Sequence, residues 1–112
     1  MVDTGLAPMS QIKQGGNMFF YIYQVTPKES HPQHGMLGGA YVHCWLDLAS
    51  QEEAHSLASS RLDDAGWIIQ TCQLQAEVGL EDYLNDEEAM DYYKQAQKAQ
   101  EAYVFHVWPL ED

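Results

Sequence analysis

Residues 31–44, HPQHGMLGGAYVHC, place His31, His34, His43 and Cys44 within one short stretch. Imidazole and thiolate are the ligands zinc prefers, so the residue types fit a metal site. On an extended strand, however, His43 and Cys44 point to opposite sides, and one site can use only one of them. What remains is a three-histidine set, His31, His34 and His43, with an open position. The His31–His34 spacing is interrupted by Pro32 and matches no known ligand signature. The stronger expectation is therefore a solvated loop running into a strand, with no resident metal or cofactor. Cys44 and Cys72 both fall on expected core faces, where a thiol is inert packing rather than a nucleophile. Two cysteines cannot make the dense disulfide framework of a small secreted domain, so both are read as free thiols.

A second candidate is aromatic. Tyr41, His43 and Trp45 alternate along one face of a strand, and Phe19, Tyr21 and Tyr23 on the first strand, with His106 and Trp108 on the last, join them where the register permits. Such a patch is expected to be a homodimer face or a ligand site. If it is a pocket, His43 and His106 are the candidate catalytic acid or base, with Tyr21 and Tyr41 as orienting donors. A third candidate is electrostatic. Glu77, Glu81, Asp82, Asp86, Glu87, Glu88 and Asp91 follow one another with no Lys or Arg between 77 and 91. No Asp-x-Asp-x-Asp-Gly loop is present for calcium. The run is either a solvated helix start or a surface that steers a basic protein partner.

These residues need elements to hold them. Residues 1–17 mix Gly, Pro and small polar residues without periodicity and read as a flexible leader, leaving 18–112 as a single α+β domain. MFFYIYQV, 18–25, is rich in aromatic and β-branched residues and reads as a covered strand whose two faces are both largely apolar. A long connection over 26–39 leads to a second strand, AYVHCWLDL, 40–48. Its core face is Val42, Cys44, Leu46 and Leu48. Ser50 and Glu53 have capping-box spacing, opening a helix with the stripe Ala54, Leu57, Ala58, Arg61, Leu62 and Ala65, closed by Gly66. A long strand is expected over 67–78, with Ile68, Cys72, Leu74, Ala76 and Val78 mainly on one face. Asp86, Glu87 and Glu88 suit the first turn of a second helix near 86–100, because carboxylates complement the positive end of its dipole. A last strand over 102–108 is closed by Pro109.

The order is β-β-α-β-α-β. Strand-helix-strand crossovers imply parallel pairings or near pairings, hence a two-layer sandwich of a four-stranded mixed sheet with both helices on one face. This is near a ferredoxin-like plait, though that pattern orders its elements differently.

The charge balance, 5 Lys and Arg against 17 Asp and Glu for a net −12, disfavours nucleic acid and anionic membrane surfaces. With no apolar run long enough to span a bilayer, a cytoplasmic location is expected. The overall expectation is a small, acidic, non-enzymatic module of the binding or regulatory type, homodimeric through an open sheet face and docking a basic protein. The rival is a small dimeric enzyme or ligand-binding protein with an aromatic and histidine pocket.

Overall fold

The computed structural model describes residues 17–110. Four strands, β1 (Met18–Pro27), β2 (Leu37–Asp47), β3 (Trp67–Val78) and β4 (Glu101–Pro109), form one sheet in the order β3-β1-β2-β4. Helix α1 (Gln51–Asp64) joins β2 to β3. A short 3-10 turn (Leu80–Tyr83) and helix α2 (Glu87–Ala99) join β3 to β4.

Every neighbouring pair is antiparallel. The expectation of a mixed sheet is corrected for a geometric reason. Strands β2 and β3 do run parallel, as a crossover through α1 requires, but β1 lies between them and pairs antiparallel with both. The crossover spans one strand instead of closing a parallel ladder. The plait is not reproduced either. The connection expected over 26–39 is shorter, because β1 extends to Pro27 and β2 begins at Leu37.

The two helices cover opposite faces. Phe19, Tyr21, Tyr23 and Val25 of β1 share a face with Val42, Cys44 and Leu46 of β2, and pack against Ala54, Ala58 and Leu62 of α1. One residue along, Met18 shares the other face with Trp45 and Ala102, beneath Tyr93 and Ala96 of α2. The expected placement of both helices on one face is thus wrong. Strand β1 is the discriminating element: with apolar residues on both sides, it buries its full cost-bearing surface only if each face has a cover.

Local chemistry fixes the helix ends as the sequence implies. The Ser50 hydroxyl accepts from the Glu53 amide at 3.1 Å, and the Asp86 carboxylate accepts from the Ala89 amide at 3.1 Å. Gly66 follows α1 with φ of 94°, a left-handed conformation that carries no steric penalty without a Cβ. Tyr21 and Tyr23 stack at 5.3 Å under α1, and each phenol has a partner on the helix: Tyr21 donates to the Gln51 carbonyl at 2.9 Å, and Tyr23 pairs with His55 Nδ1 at 2.6 Å. Burying two hydroxyls this way avoids the cost of leaving them unsatisfied.

Strand β3 carries two register shifts against β1, opposite Ile22/Tyr23 and Gln24/Val25. They reverse the facing of its middle. Leu74, Ala76 and Val78 lie on the α2 face, but Cys72 pairs with Tyr23 on the α1 face, against the expected grouping. Cys72 is exposed there at the sheet edge, whereas Cys44 is fully buried, and both are free thiols. The flexible-leader expectation for 1–17 lies outside the described residues apart from Asn17, whose amide donates to the Ala49 carbonyl.

Candidate functional site: an aromatic cleft with an acidic rim

The α2 face of the sheet is only partly covered. Helix α2 sits over the end bearing Met18, Trp45 and Ala102. Beyond it, Phe20, Ile22, His43, Val104 and His106 continue the same face, since Phe20 pairs with Trp45, Ile22 with His43, His43 with Val104 and Tyr41 with His106. There these side chains and Tyr83, Asp86, Glu88 and Tyr92 line an open cleft of about 380 Å³.

Its wall is a chain of ring contacts. Trp45 stacks on Tyr92 at 5.2 Å and 12°, and its indole N–H donates to the Tyr83 hydroxyl at 3.1 Å. Phe20 meets Trp45 at 5.0 Å, and it meets the His43 ring edge-on at 5.7 Å. His43 and His106 lie edge to face at 4.8 Å. Burial, with a smaller contribution from His106, holds His43 below the usual histidine range, because desolvation disfavours the charged ring and the neighbouring imidazole opposes a second positive charge. Burial likewise pushes the Tyr83 phenol up. The cleft therefore presents an imidazole whose charged form is disfavoured, an apolar floor and carboxylates at one side.

Next to the cleft lies its rim. Glu77, Glu81, Asp82, Asp86, Glu87, Glu88 and Asp91 are all exposed. Asp82 accepts from the Gly79 amide at 2.8 Å and Asp86 caps α2, so those two are also structural. Among these carboxylates, Leu84 is 70% exposed and Leu80 42% exposed.

The candidates read from sequence are thus partly assembled. His43 and His106 meet, and Tyr41 is His106's strand partner, stacked obliquely on Trp108 at 5.0 Å. Trp108 can lie flat across the sheet there because Gly39 is opposite: a Cβ on Gly39 would sit 2.6 Å from its ring. Tyr21 does not belong to the set. It lies on the other face under α1, because the face alternation of β1 puts Phe20 and Ile22, not Phe19, Tyr21 and Tyr23, beside His43. Trp45 is only 3% exposed, so α2 removes it from any dimer face. The histidine metal set is not brought together either. His31 packs on Trp67 at 4.5 Å, His34 is exposed in the β1–β2 turn, and His43 lies in the cleft. Among the described residues no group of three His, Cys, Asp or Glu side chains could hold a metal ion.

Sequence reasoning missed Phe20, Tyr83 and Tyr92 as cleft residues and Leu80 and Leu84 as exposed apolar ones. The last two had a usable signal, a pair of leucines four apart within an otherwise acidic run.

No protein-family model, no curated protein and no solved structure matches the chain. Among the described residues no helix is long and apolar enough to cross a membrane.

Proposed function

We propose that the chain is a non-enzymatic binding module whose acidic rim, residues 77–91, docks a basic protein partner. The observation that carries this reading is the exposure of Leu80 and Leu84 inside a run of carboxylates without a compensating Lys or Arg. Solvated helix starts do not need exposed leucines. An interface does, because its centre gains from apolar burial while charge at its edge speeds encounter and fixes orientation. The neighbouring cleft extends the same surface and offers room for one apolar or aromatic side chain of the partner.

Titration with a short amphipathic Lys/Leu peptide, followed by amide NMR, tests the reading. Shifts confined to residues 80–92 and the cleft, affinity that falls steeply with salt, and about tenfold weaker binding by Leu84→Ser are expected. Shifts spread equally over the carboxylates of α1, or binding indifferent to Leu84→Ser, would show general charge attraction and remove the proposal.

The paired imidazoles favour one second reading, a small-ligand or enzymatic site in which His43 and His106 handle a proton. It calls for a small molecule retained by the purified protein in native mass spectrometry and lost on His43→Ala.

A further inference from the structure

The two edge strands of the sheet are built differently. Strand β3 has two bulges, and polar Gln70, Thr71, Gln73 and Gln75 occupy its exposed middle. Bulges and polar side chains are the usual devices that stop one sheet edge from pairing with another. Strand β4 has its register irregularity, opposite Leu37 and Gly39, and its one carboxylate, Glu101, only at its two ends. From Ala102 to Trp108 it pairs with β2 without a register shift, and it carries no Asp, Glu, Lys or Arg from Ala102 to Leu110. Its outer side has no strand partner among the described residues. Phe105 is 38% exposed and Val107 53% exposed on the α1 face, outboard of the helix, and His106 is exposed on the other face. Glu101, paired with Arg61, stands at one end of the strand and Pro109 at the other, and nothing charged lies between them.

We infer that β4 is a self-association edge, and that its occupant is β4 of a second copy of this chain, paired antiparallel about a two-fold axis to give one continuous eight-stranded sheet. Charge selects the occupant. Two copies carrying −12 each repel through most of their surface, and the carboxylate-free run Ala102–Leu110 lets their backbones approach without setting acid against acid. Symmetry agrees with that choice, because an antiparallel pair of identical strands is self-complementary, as a two-fold interface must be. The pairing would satisfy the outward N–H and C=O groups of β4 and add cover to Val107 and to Phe105, which already stacks on Trp67 at 5.6 Å. It differs from packing of two sheet faces, because it joins the copies edge to edge and uses neither face. It also leaves the acidic rim and cleft open, so it stands independently of the docking reading.

The experiment is sedimentation velocity and native mass spectrometry of the full chain, with amide exchange read along residues 102–108. The expected result is a dimer in which alternate β4 amides, those directed outward, gain protection as concentration rises. Val107→Lys changes an exposed side chain and leaves the fold intact by circular dichroism. It places a charged side chain on apolar surface that the joined strands would bury, and is expected to weaken dimerisation by about a hundredfold. Ile68→Lys, on an exposed position of the bulged edge β3, is the control and is expected to leave the dimer unchanged. Tyr41→Glu distinguishes edge pairing from face packing, because Tyr41 lies on the open part of a sheet face one strand in from the edge. A monomer at all concentrations, a dimer untouched by Val107→Lys, one broken equally by Tyr41→Glu, or one whose β4 amides still exchange freely would each overturn the inference.

Discussion

The seal that α1 makes over one sheet face can be measured through its own thiols. Cys44 is fully buried beneath the helix while Cys72, across β1 on the same face, is exposed. Burial also pushes the Cys44 thiol far up, so almost none of it is thiolate in the folded state. Cys44 can then react with an aromatic disulfide reagent only from opened molecules, and its rate reports the opening equilibrium. A chain of 112 residues is expected to be stable by about 5–15 kcal/mol. Even the lower figure makes Cys44 slower than Cys72 by roughly 5 × 10³, at about 1.4 kcal/mol per factor of ten. Leu62→Ala removes a side chain 2% exposed in the same core cluster and is expected to cost about 2–4 kcal/mol through lost burial and the cavity left behind. Cys44 labelling should accelerate by roughly 30- to 1,000-fold, while Cys72 stays constant. A wild-type Cys44 that reacts within tenfold of Cys72, or a Leu62→Ala variant that leaves its rate unchanged, would refute the placement of α1 over Cys44.

Three further outcomes follow from individual contacts. Ser50→Ala removes the cap of α1 and should cost about 1 kcal/mol, seen as a melting temperature lower by about 4–8 °C, with Ser50→Gly costing less. Glu101 accepts from the Arg61 guanidinium at 2.8–3.1 Å and from the Tyr103 hydroxyl at 2.9 Å, and the Arg61 bond foremost holds its carboxyl below the usual carboxylate range. The stability this gives is present above the ordinary carboxylate value and lost as pH falls through the depressed one, so Glu101→Gln should flatten that acid limb in denaturant titrations at several pH values. His43, held low by burial and by His106, should titrate below 6.5 by NMR, and His106→Gln should raise its midpoint only part of the way, because burial remains. The unfolded chain takes up that proton at a higher pH than the folded one. The contribution of His43 to stability is therefore full above 6.5 and declines as pH falls from there to the folded midpoint.

What the sequence made legible were features fixed by near neighbours. Ser50 with Glu53, Asp86 with the acidic first turn, Gly66 after α1 and Pro109 at the end of β4 act within a few residues of themselves, and the element boundaries follow to within a few positions. What stayed hidden depends on pairing. Whether Leu74 and Cys72 share a face turns on two bulges in β3, and a bulge leaves no mark in a polar stretch such as QTCQ, residues 70–73. The cleft was half visible for the same reason. His43 and His106 lie on different strands whose register sequence alone leaves open, and Tyr83 and Tyr92 line the same cleft only because the 3-10 turn and α2 lie over that face.

One element did hold the answer to the larger error. A strand with a single covered face alternates apolar and polar residues, whereas β1 reads MFFYIYQV with both alternating sets apolar except for Gln24. Phe19, Tyr21, Tyr23 and Val25 are buried, and Met18, Phe20 and Ile22 on the other side are buried or half-buried. That pattern is incompatible with two helices on one face, since it would leave Phe20 and Ile22 in water beside β2's Tyr41, His43 and Trp45. Two covers on opposite faces remove the conflict, and β1, being central, needs both. Strand β2 repeats the logic: Trp45 is buried by α2 while Tyr41, farther along the same face, is 41% exposed. Helix α2 is too short to cover the whole face, and the cleft lies where its cover ends. The position of the candidate site therefore follows from a mismatch between the length of one helix and the length of the sheet face beneath it.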